Sequence, residues 1–170
     1  MSQFEEMYNR YWQDVSQFLF RITGYQRQLA EELTQETFYQ AMLSFHRYRG
    51  DCHIKTWLCQ IAKNTYLNAM RKDKKGSRVP MEQIANLILS ASDSVAADYE
   101  KEELIAYANK VLMQLDGNTR DVLIYRIFTD LSYEQIGALL RISESSAKVI
   151  YMRGKFKLQK KLREEYGYEL

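Results

Sequence analysis

One proline in 170 residues, at position 80, is the tightest constraint on what this chain can fold into. Proline stops helices and breaks ladders, and only seven glycines add further interruptions. Between these points apolar residues recur at steps of three and four, with little strict alternation. The expected fold class is therefore all-α. A content of 46% hydrophobic and 27% charged residues is that of a globular chain rather than a disordered one.

The pattern resolves into two small helical domains joined by a flexible linker. Phe4, Met7, Tyr8, Tyr11, Val15, Phe18 and Leu19 form a stripe on a helix from Gln3 to about Phe20, interrupted at Gly24. A second helix is expected from about Gln28 to Phe45, with Leu29, Leu33, Phe38, Met42 and Phe45 inside. Glu32, Gln35, Glu36 and Tyr39 make its other face. A loop from His46 to about Lys55 then precedes a helix from Thr56, whose core face is expected to be Trp57, Leu58, Ile61, Ala62, Thr65 and Ala69. This first domain spans 1–76. Residues 77–98 read as the linker, with Pro80, the small polar run SASDSVAAD and one apolar island, Met81–Leu89, expected to form a short helix. The second domain spans 99–170. Leu104, Tyr107, Ala108, Val111, Leu112 and Leu115 form its first stripe, and Val122, Leu123, Ile127 and Phe128 its next.

The third helix carries a second, polar stripe: Gln60, Asn64, Asn68, Arg71 and Lys75 share one face. Glu and Lys favour helix more than Asn, so a merely solvated face has no need of paired asparagines. Net charge is only +2, but its distribution is uneven. Arg71, Lys72, Lys74, Lys75 and Arg78 stand against Asp73 alone, and from Lys148 to Arg163 every charged side chain is basic. Acid gathers elsewhere, at Glu31, Glu32 and Glu36 and again from Asp98 to Glu103. Two separated basic patches point to two contacts with a polyanion; solvated helix faces are the competing reading.

Near the C-terminus, Ser132 followed by Gln135 is a capping box that starts a short helix through Leu140. Ser143 is placed to cap the next helix, with Glu144 in its favourable first turn. Two helices this close, the second one basic, make a helix-turn-helix pattern. Ala147, Ile150, Tyr151, Gly154 and Leu158 form the inward stripe of the second helix. Ser145, Lys148, Val149, Met152 and Phe156 lie opposite, flanked by Arg153 and Lys155. That face offers cations for phosphates and apolar groups for thymine methyls, or a packing surface for another protein.

Three stretches together, AEELTQETFYQAM, FHRYRGDCHIKTWLCQIAKNTYLNAMRK and LSYEQIGALLRISESSAKVIYMRGKFKL, resemble bacterial RNA polymerase sigma factors. The length is similar to that of the extracytoplasmic-function group, which keeps only the second and fourth sigma domains. The resemblance implies that Glu32, Leu33, Gln35, Glu36 and Phe38 bind the clamp helices of the largest subunit of core RNA polymerase, and that the fourth domain meets its flap. It implies a promoter minus-ten element held as single strand by the loop residues Tyr48, Arg49, Asp51, His53 and Lys55 and by Asn64, Asn68, Arg71, Lys72 and Lys75. It also implies a duplex minus-thirty-five element bound by Ser145, Ser146, Lys148, Val149, Met152 and Arg153. An amide carries a donor and an acceptor on one rigid group, so Asn64 and Asn68 suit base edges while the neighbouring cations hold phosphates. The chain departs from the family at Arg141, where a turn glycine is usual, at Val149 and Ile150, and at Gly154, where alanine is usual. If the turn needs positive φ at Arg141, that residue costs on the order of 1 kcal/mol relative to glycine. The group also implies an anti-sigma partner.

Other chemistries are weakly signalled. Cys52, His53 and Cys59, with His46 nearby, lack a strong metal spacing, and no metal or other cofactor is expected. Phosphate-loop, zinc-protease, nucleophile-elbow and dinucleotide motifs are missing, so no enzyme is expected. A stand-alone helix-turn-helix regulator is the alternative function. No run of membrane-spanning length, no signal peptide and two cysteines fit the bacterial cytoplasm, with attachment to the membrane only through an anti-sigma partner.

Overall fold

The computed structural model describes residues 1–23, 26–72 and 110–167. Among these residues all regular structure is helical, and the chain divides into two compact units, Met1–Lys75 and Gly76–Leu170. No helix among them is long and apolar enough to cross a membrane.

In the first unit, α1 (Gln3–Ile22) begins at a capping box. Oγ of Ser2 accepts from the Glu5 N–H at 3.2 Å, and the Glu5 carboxylate accepts from the Ser2 N–H at 2.6 Å. These bonds satisfy donors that have no partner inside the helix. Met7, Tyr11, Val15, Phe18, Leu19 and Ile22 are buried, so the helix runs beyond the expected end at Phe20.

α2 (Arg27–Ser44) corrects the expected core. It buries Ala30, Leu33, Thr34, Thr37, Phe38 and Ala41, whereas Met42 is 50% exposed. Leu29 and Phe45 are half-buried. Register explains the difference: the buried line passes through Phe38 and Ala41, and Met42 lies about 100° further round the helix. Threonines take the vacant core positions because their hydroxyls are satisfied within the helix. Thr34 donates to the Ala30 carbonyl at 2.6 Å and Thr37 to the Leu33 carbonyl at 2.7 Å.

A 3₁₀ turn, Phe45–Arg47, leads through a loop to α3 (Ile54–Lys72), so Lys55 lies in the first helical turn and not in the loop. α3 packs on both α1 and α2. It buries Thr56, Leu58, Cys59, Ala62, Lys63, Tyr66 and Leu67. Trp57, Ile61, Thr65 and Ala69, expected in the core, are half-buried. The last three border an open groove toward α2, while Trp57 joins a surface cluster of aromatic rings.

In the second unit, helical residues 110–114 bury Val111 and Leu112, followed by Leu115. Leu104, Tyr107 and Ala108, the linker 77–98, its island Met81–Leu89 and the cations Lys74, Lys75 and Arg78 lie outside the described residues. α4 (Gly117–Phe128) starts at Asp116, whose carboxylate accepts from the N–H and hydroxyl of Thr119 at 3.0 and 2.7 Å. α4 buries Val122, Leu123, Ile124, Tyr125 and Phe128, so its buried face is broader than the expected stripe, and Ile127 is only half-buried. α5 (Tyr133–Leu140) and α6 (Glu144–Tyr166) pack on α4 and on each other. Gly154 is where α6 meets α4: a Cβ there would stand 2.7 Å from Cγ2 of Thr119. A side chain at this position would require Thr119 or α4 to give way.

Candidate nucleic-acid interface

The loop before α3 is held from beneath by aromatic rings. Tyr48 lies 5.1 Å from the Trp57 ring centre and 6.5 Å from that of Phe45, which in turn meets Phe4 edge-on at 6.0 Å. The Tyr48 hydroxyl donates to the Cys52 carbonyl at 2.6 Å, closing the loop on itself. His53 accepts from the Lys55 N–H at 3.2 Å through Nδ1, and its ring meets Tyr11 edge-on. Lys55 itself pairs with Asp14 at 3.5 Å. Two of the five expected loop residues, Tyr48 and Lys55, therefore build the loop, and Arg49, Asp51 and His53 remain on its exposed surface. The Cys52 thiol is pushed up, first by burial and then by the Asp51 carboxylate, so it stays protonated at neutral pH. Cys59 is buried in α3.

From this loop α3 carries Asn64, Asn68, Arg71 and Lys72 as exposed side chains. Arg71 donates to the Asn68 side-chain carbonyl at 3.4 Å, which ties one amide to the basic end of the helix. Lys75, the last member of the expected stripe, lies outside the described residues. The cations in the final turn also oppose the negative pole of the helix dipole, so their clustering there is structurally favourable.

Between α2 and α3 runs a groove of about 640 Å³. Leu33, Ile61, Thr65 and Ala69 form its recessed floor. Glu36 and Gln40 stand exposed on the α2 rim, and Asn64, Asn68 and Lys72 on the α3 rim. The two rims repeat at four-residue steps, as neighbouring helices facing a common channel require. Gln40 was not among the residues expected from the sequence. Its signal was the four-residue step from Glu36, legible only once α2 is known to lie beside α3.

The outer face of α2 is as expected: Glu32, Gln35, Glu36 and Tyr39 are exposed. Leu33 and Phe38 are not available to a partner directly, being 7% and 3% exposed. Phe38 stacks on Trp12 at 5.4 Å and meets Tyr8 at 4.9 Å, so it anchors the helix rather than the ligand.

In the second unit the local chemistry expected for the helix-turn-helix is present. Ser132 and Gln135 exchange bonds of 2.9 and 3.1 Å at the start of α5, and Ser143 accepts from the Ser146 N–H at 3.0 Å at the start of α6. Arg141 between them is left-handed, at φ 57° and ψ 44°. The N–H groups of Arg141 and Ile142 both return to the Gly137 carbonyl, which closes the turn. α6 thus presents Ser145, Ser146, Lys148, Val149, Met152 and Arg153 on one exposed surface, continued by Phe156 at 65% exposure. Lys148 pairs with Glu144 at 3.1 Å and approaches the Tyr133 ring, over which the Arg126 guanidinium sits at 4.3 Å. Neither Arg126 nor Tyr133 was expected at this site.

Both units match known families: Sigma-70 region 2 over residues 7–76 and Sigma-70, region 4 over residues 107–158. The chain is 33% identical over 156 residues to the ECF RNA polymerase sigma factor SigM of Bacillus subtilis strain 168, covering 91% of this chain and 92% of SigM. The chain belongs to the extracytoplasmic-function sigma factors. This sigma factor is also 31% identical over 158 residues to RNA polymerase sigma factor YlaC of the same organism, covering 93% of this chain and 91% of YlaC. Its fold is similar to that of the sigma factor RpoE, solved in complex with the anti-sigma factor NepR from Bartonella quintana. There the TM-score is 0.54 at 22% identity, over 96% of this chain and 98% of the other. CnrH, solved with the cytosolic domain of CnrY, gives a TM-score of 0.53 at 20% identity over 94% and 86%. As a sigma factor the protein directs promoter-specific transcription initiation by RNA polymerase, and the stand-alone regulator is not favoured.

Proposed function

We propose that the two basic surfaces divide the promoter between them, as domains 1–76 and 99–170 joined by 77–98. The first domain holds an opened minus-ten strand: Asn64 and Asn68 read bases, and Arg71, Lys72 and Lys75 hold phosphates. Arg49, Asp51 and His53 border the place of a flipped base, with Tyr48 and Lys55 fixing the loop. The observation that carries this reading is the exposure of paired amides and cations on one face of α3. Unstacking a base costs roughly a few kcal/mol and a good bidentate contact discriminates by about 1–3 kcal/mol, so these residues hold a strand but do not open one unaided. Core polymerase supplies the rest, bound through Glu32, Gln35 and Glu36 on α2, which Leu33 and Phe38 anchor, and through its flap on the second domain. α6 lies in the major groove of the minus-thirty-five element, with Lys148 and Arg153 on phosphates, Ser145 and Ser146 within reach of the backbone, and Val149 and Met152 against base methyls.

The protein works as an adaptor without a catalytic step of its own, in the cytoplasm. An anti-sigma protein is its regulatory partner and the means by which it is held at the membrane; one solved structure of similar fold pairs a sigma factor with such a protein. Run-off transcription on a genomic template library, with core polymerase and with or without this protein, tests the proposal. Promoter-dependent transcripts should require both components. Tight, dimeric duplex binding by the protein alone, with no transcripts on adding core, would overturn it.

A further inference from the structure

We infer that Thr119 and Gly154 form a stop that sets how far α6 stands off α4, and so how deeply Met152 enters the major groove. The inference rests on the reading of α6 proposed above, and it adds the residues that hold that helix at its depth.

Gly154 is buried inside α6, a place where alanine would favour helix more than glycine does. The reason for a glycine lies on α4. A Cβ at 154 would stand 2.7 Å from Cγ2 of Thr119 and 3.3 Å from Cδ1 of Leu123. Carbon atoms pack best at roughly 3.5–4.0 Å, so a methyl group here needs about 1 Å of new space. Thr119 does not yield that space by turning without breaking a bond. Its hydroxyl donates to Oδ2 of Asp116 at 2.7 Å, and its N–H donates to Oδ1 of the same carboxylate at 3.0 Å. The cap that starts α4 therefore also fixes the Thr119 side chain, with its methyl group against Gly154.

The start of α6 is held separately, at the turn. There the Ile142 N–H donates to the Gly137 carbonyl at 2.9 Å, and a Cβ at Gly137 would stand 2.7 Å from the Ile142 carbonyl oxygen. From Ser143 to Gly154 is about 16 Å of helix, so α6 rests on two supports, one at each end of its reading face. Raising the second support by about 1 Å while the first stays in place makes the helix lean. Ser145, beside the turn, hardly moves, whereas Met152 moves by most of the added distance. Met152 lies about 200° round the helix from Gly154, on the opposite side, and is 62% exposed. Its movement is therefore outward into the groove. Phosphate contacts near the turn hold the duplex in place, so the change in depth falls on the bases that Met152 touches.

The test uses holoenzyme assembled from core polymerase and full-length protein, on templates randomised through the minus-thirty-five element. Transcripts are counted for each sequence at a temperature well below the melting of every variant. Met152→Ala first marks the base pairs that Met152 reads. Gly154→Ala should change preference at those same pairs by about tenfold and leave the rest of the profile within about twofold. Thr119→Ser removes Cγ2 but keeps the hydroxyl for Asp116, and Leu123 has only a few tenths of an ångström to give. Combining Thr119→Ser with Gly154→Ala should therefore return the profile to within about threefold of wild type. A wild-type profile for folded Gly154→Ala would overturn the inference. So would a loss spread evenly over every position, the mark of a helix that is merely less stable. If Gly154→Ala fails to fold, a double variant that folds with a near wild-type profile supports the stop; one that stays unfolded, or keeps an altered profile, overturns it. An unchanged profile for Met152→Ala would remove the proposed reading of α6, and this inference with it.

Discussion

The two proposed reading surfaces are built in opposite ways. In the first unit the surface is composite: amides and cations on α3 are joined by Arg49, Asp51 and His53 of a loop that aromatic packing holds in place. In the second unit it belongs to one helix, α6, and its aim is set by backbone at Gly137, Arg141 and Gly154 and by caps at Ser132 and Ser143. The contrast fits the two forms of DNA. An unpaired strand shows flexible bases that must be gripped from more than one side, whereas a duplex groove is already rigid and needs one correctly angled rod. Side-chain changes in the first unit should therefore cost function without stability, and backbone changes in the second should cost stability first.

The largest expected effect comes from Asn64→Ala combined with Asn68→Ala. Each base contact is worth about 1–3 kcal/mol, so promoter-specific transcript should fall well over tenfold. Stability should move by less than about 0.5 kcal/mol, because both side chains are exposed and alanine is the better helix former. A melting temperature that fell along with activity would break the contrast at its first term.

Gly137→Ala tests the other side. A Cβ there would stand 2.7 Å from the Ile142 carbonyl oxygen and 3.3 Å from the Ser143 carbonyl carbon, backbone atoms that cannot swing aside. Alanine gains roughly 1 kcal/mol of helix propensity, but forced overpacking costs about 1–3 kcal/mol and displaces the turn that aims α6. A net loss of about 1–2 kcal/mol in denaturant unfolding is expected, together with weaker duplex binding at the minus-thirty-five element. Full stability with normal duplex binding would show that the turn tolerates movement.

How much could be read beforehand follows the same division. The caps at Ser132, Gln135 and Ser143 and the left-handed Arg141 are short-range chemistry, and each is where its neighbours in sequence dictate. The exposed face of α6 follows from them. The first unit was less legible because its details are tertiary. Counting apolar residues placed Met42 inside and overlooked Thr34 and Thr37, which bury by bonding their hydroxyls one turn back. Sequence spacing did not show that Tyr48 also closes the loop on Cys52 or that Lys55 also pairs with Asp14. Gln40 could not be assigned to a groove before its second wall was known.

Asp116, at the head of α4, gives a smaller effect with a pH signature. Hydrogen bonds from the side chain and backbone of Thr119 hold its carboxyl below the ordinary aspartate pKa. A depressed folded-state value means the stabilisation is complete above the unfolded pKa and is lost as pH falls through the folded one. Asp116→Ala should cost about 1 kcal/mol at pH 7 by removing the cap. Asp116→Asn keeps an acceptor and should lose less at pH 7, with a flatter acid limb in thermal unfolding as pH falls below the ordinary aspartate range. Parallel acid limbs for wild type and Asp116→Asn would remove this carboxylate from the stability of the second unit.

The smallest effect, and the sharpest separation of backbone from side chain, is expected at Arg141. Its φ of 57° is a conformation that costs a residue with a Cβ about 1 kcal/mol, and glycine nothing. Glycine also has more freedom to lose from the unfolded chain, which takes back about half of that gain. Arg141→Gly should therefore stabilise the protein by about 0.5 kcal/mol, read as a rise in denaturant midpoint at constant slope. Arg141→Ala keeps the Cβ and removes the charge, so it should leave stability nearly unchanged; the side chain is exposed and closes no bond that the turn needs. If alanine and glycine stabilised equally, the cost at this position would lie in the guanidinium rather than in the backbone, and the second unit would depend on side chains as the first does.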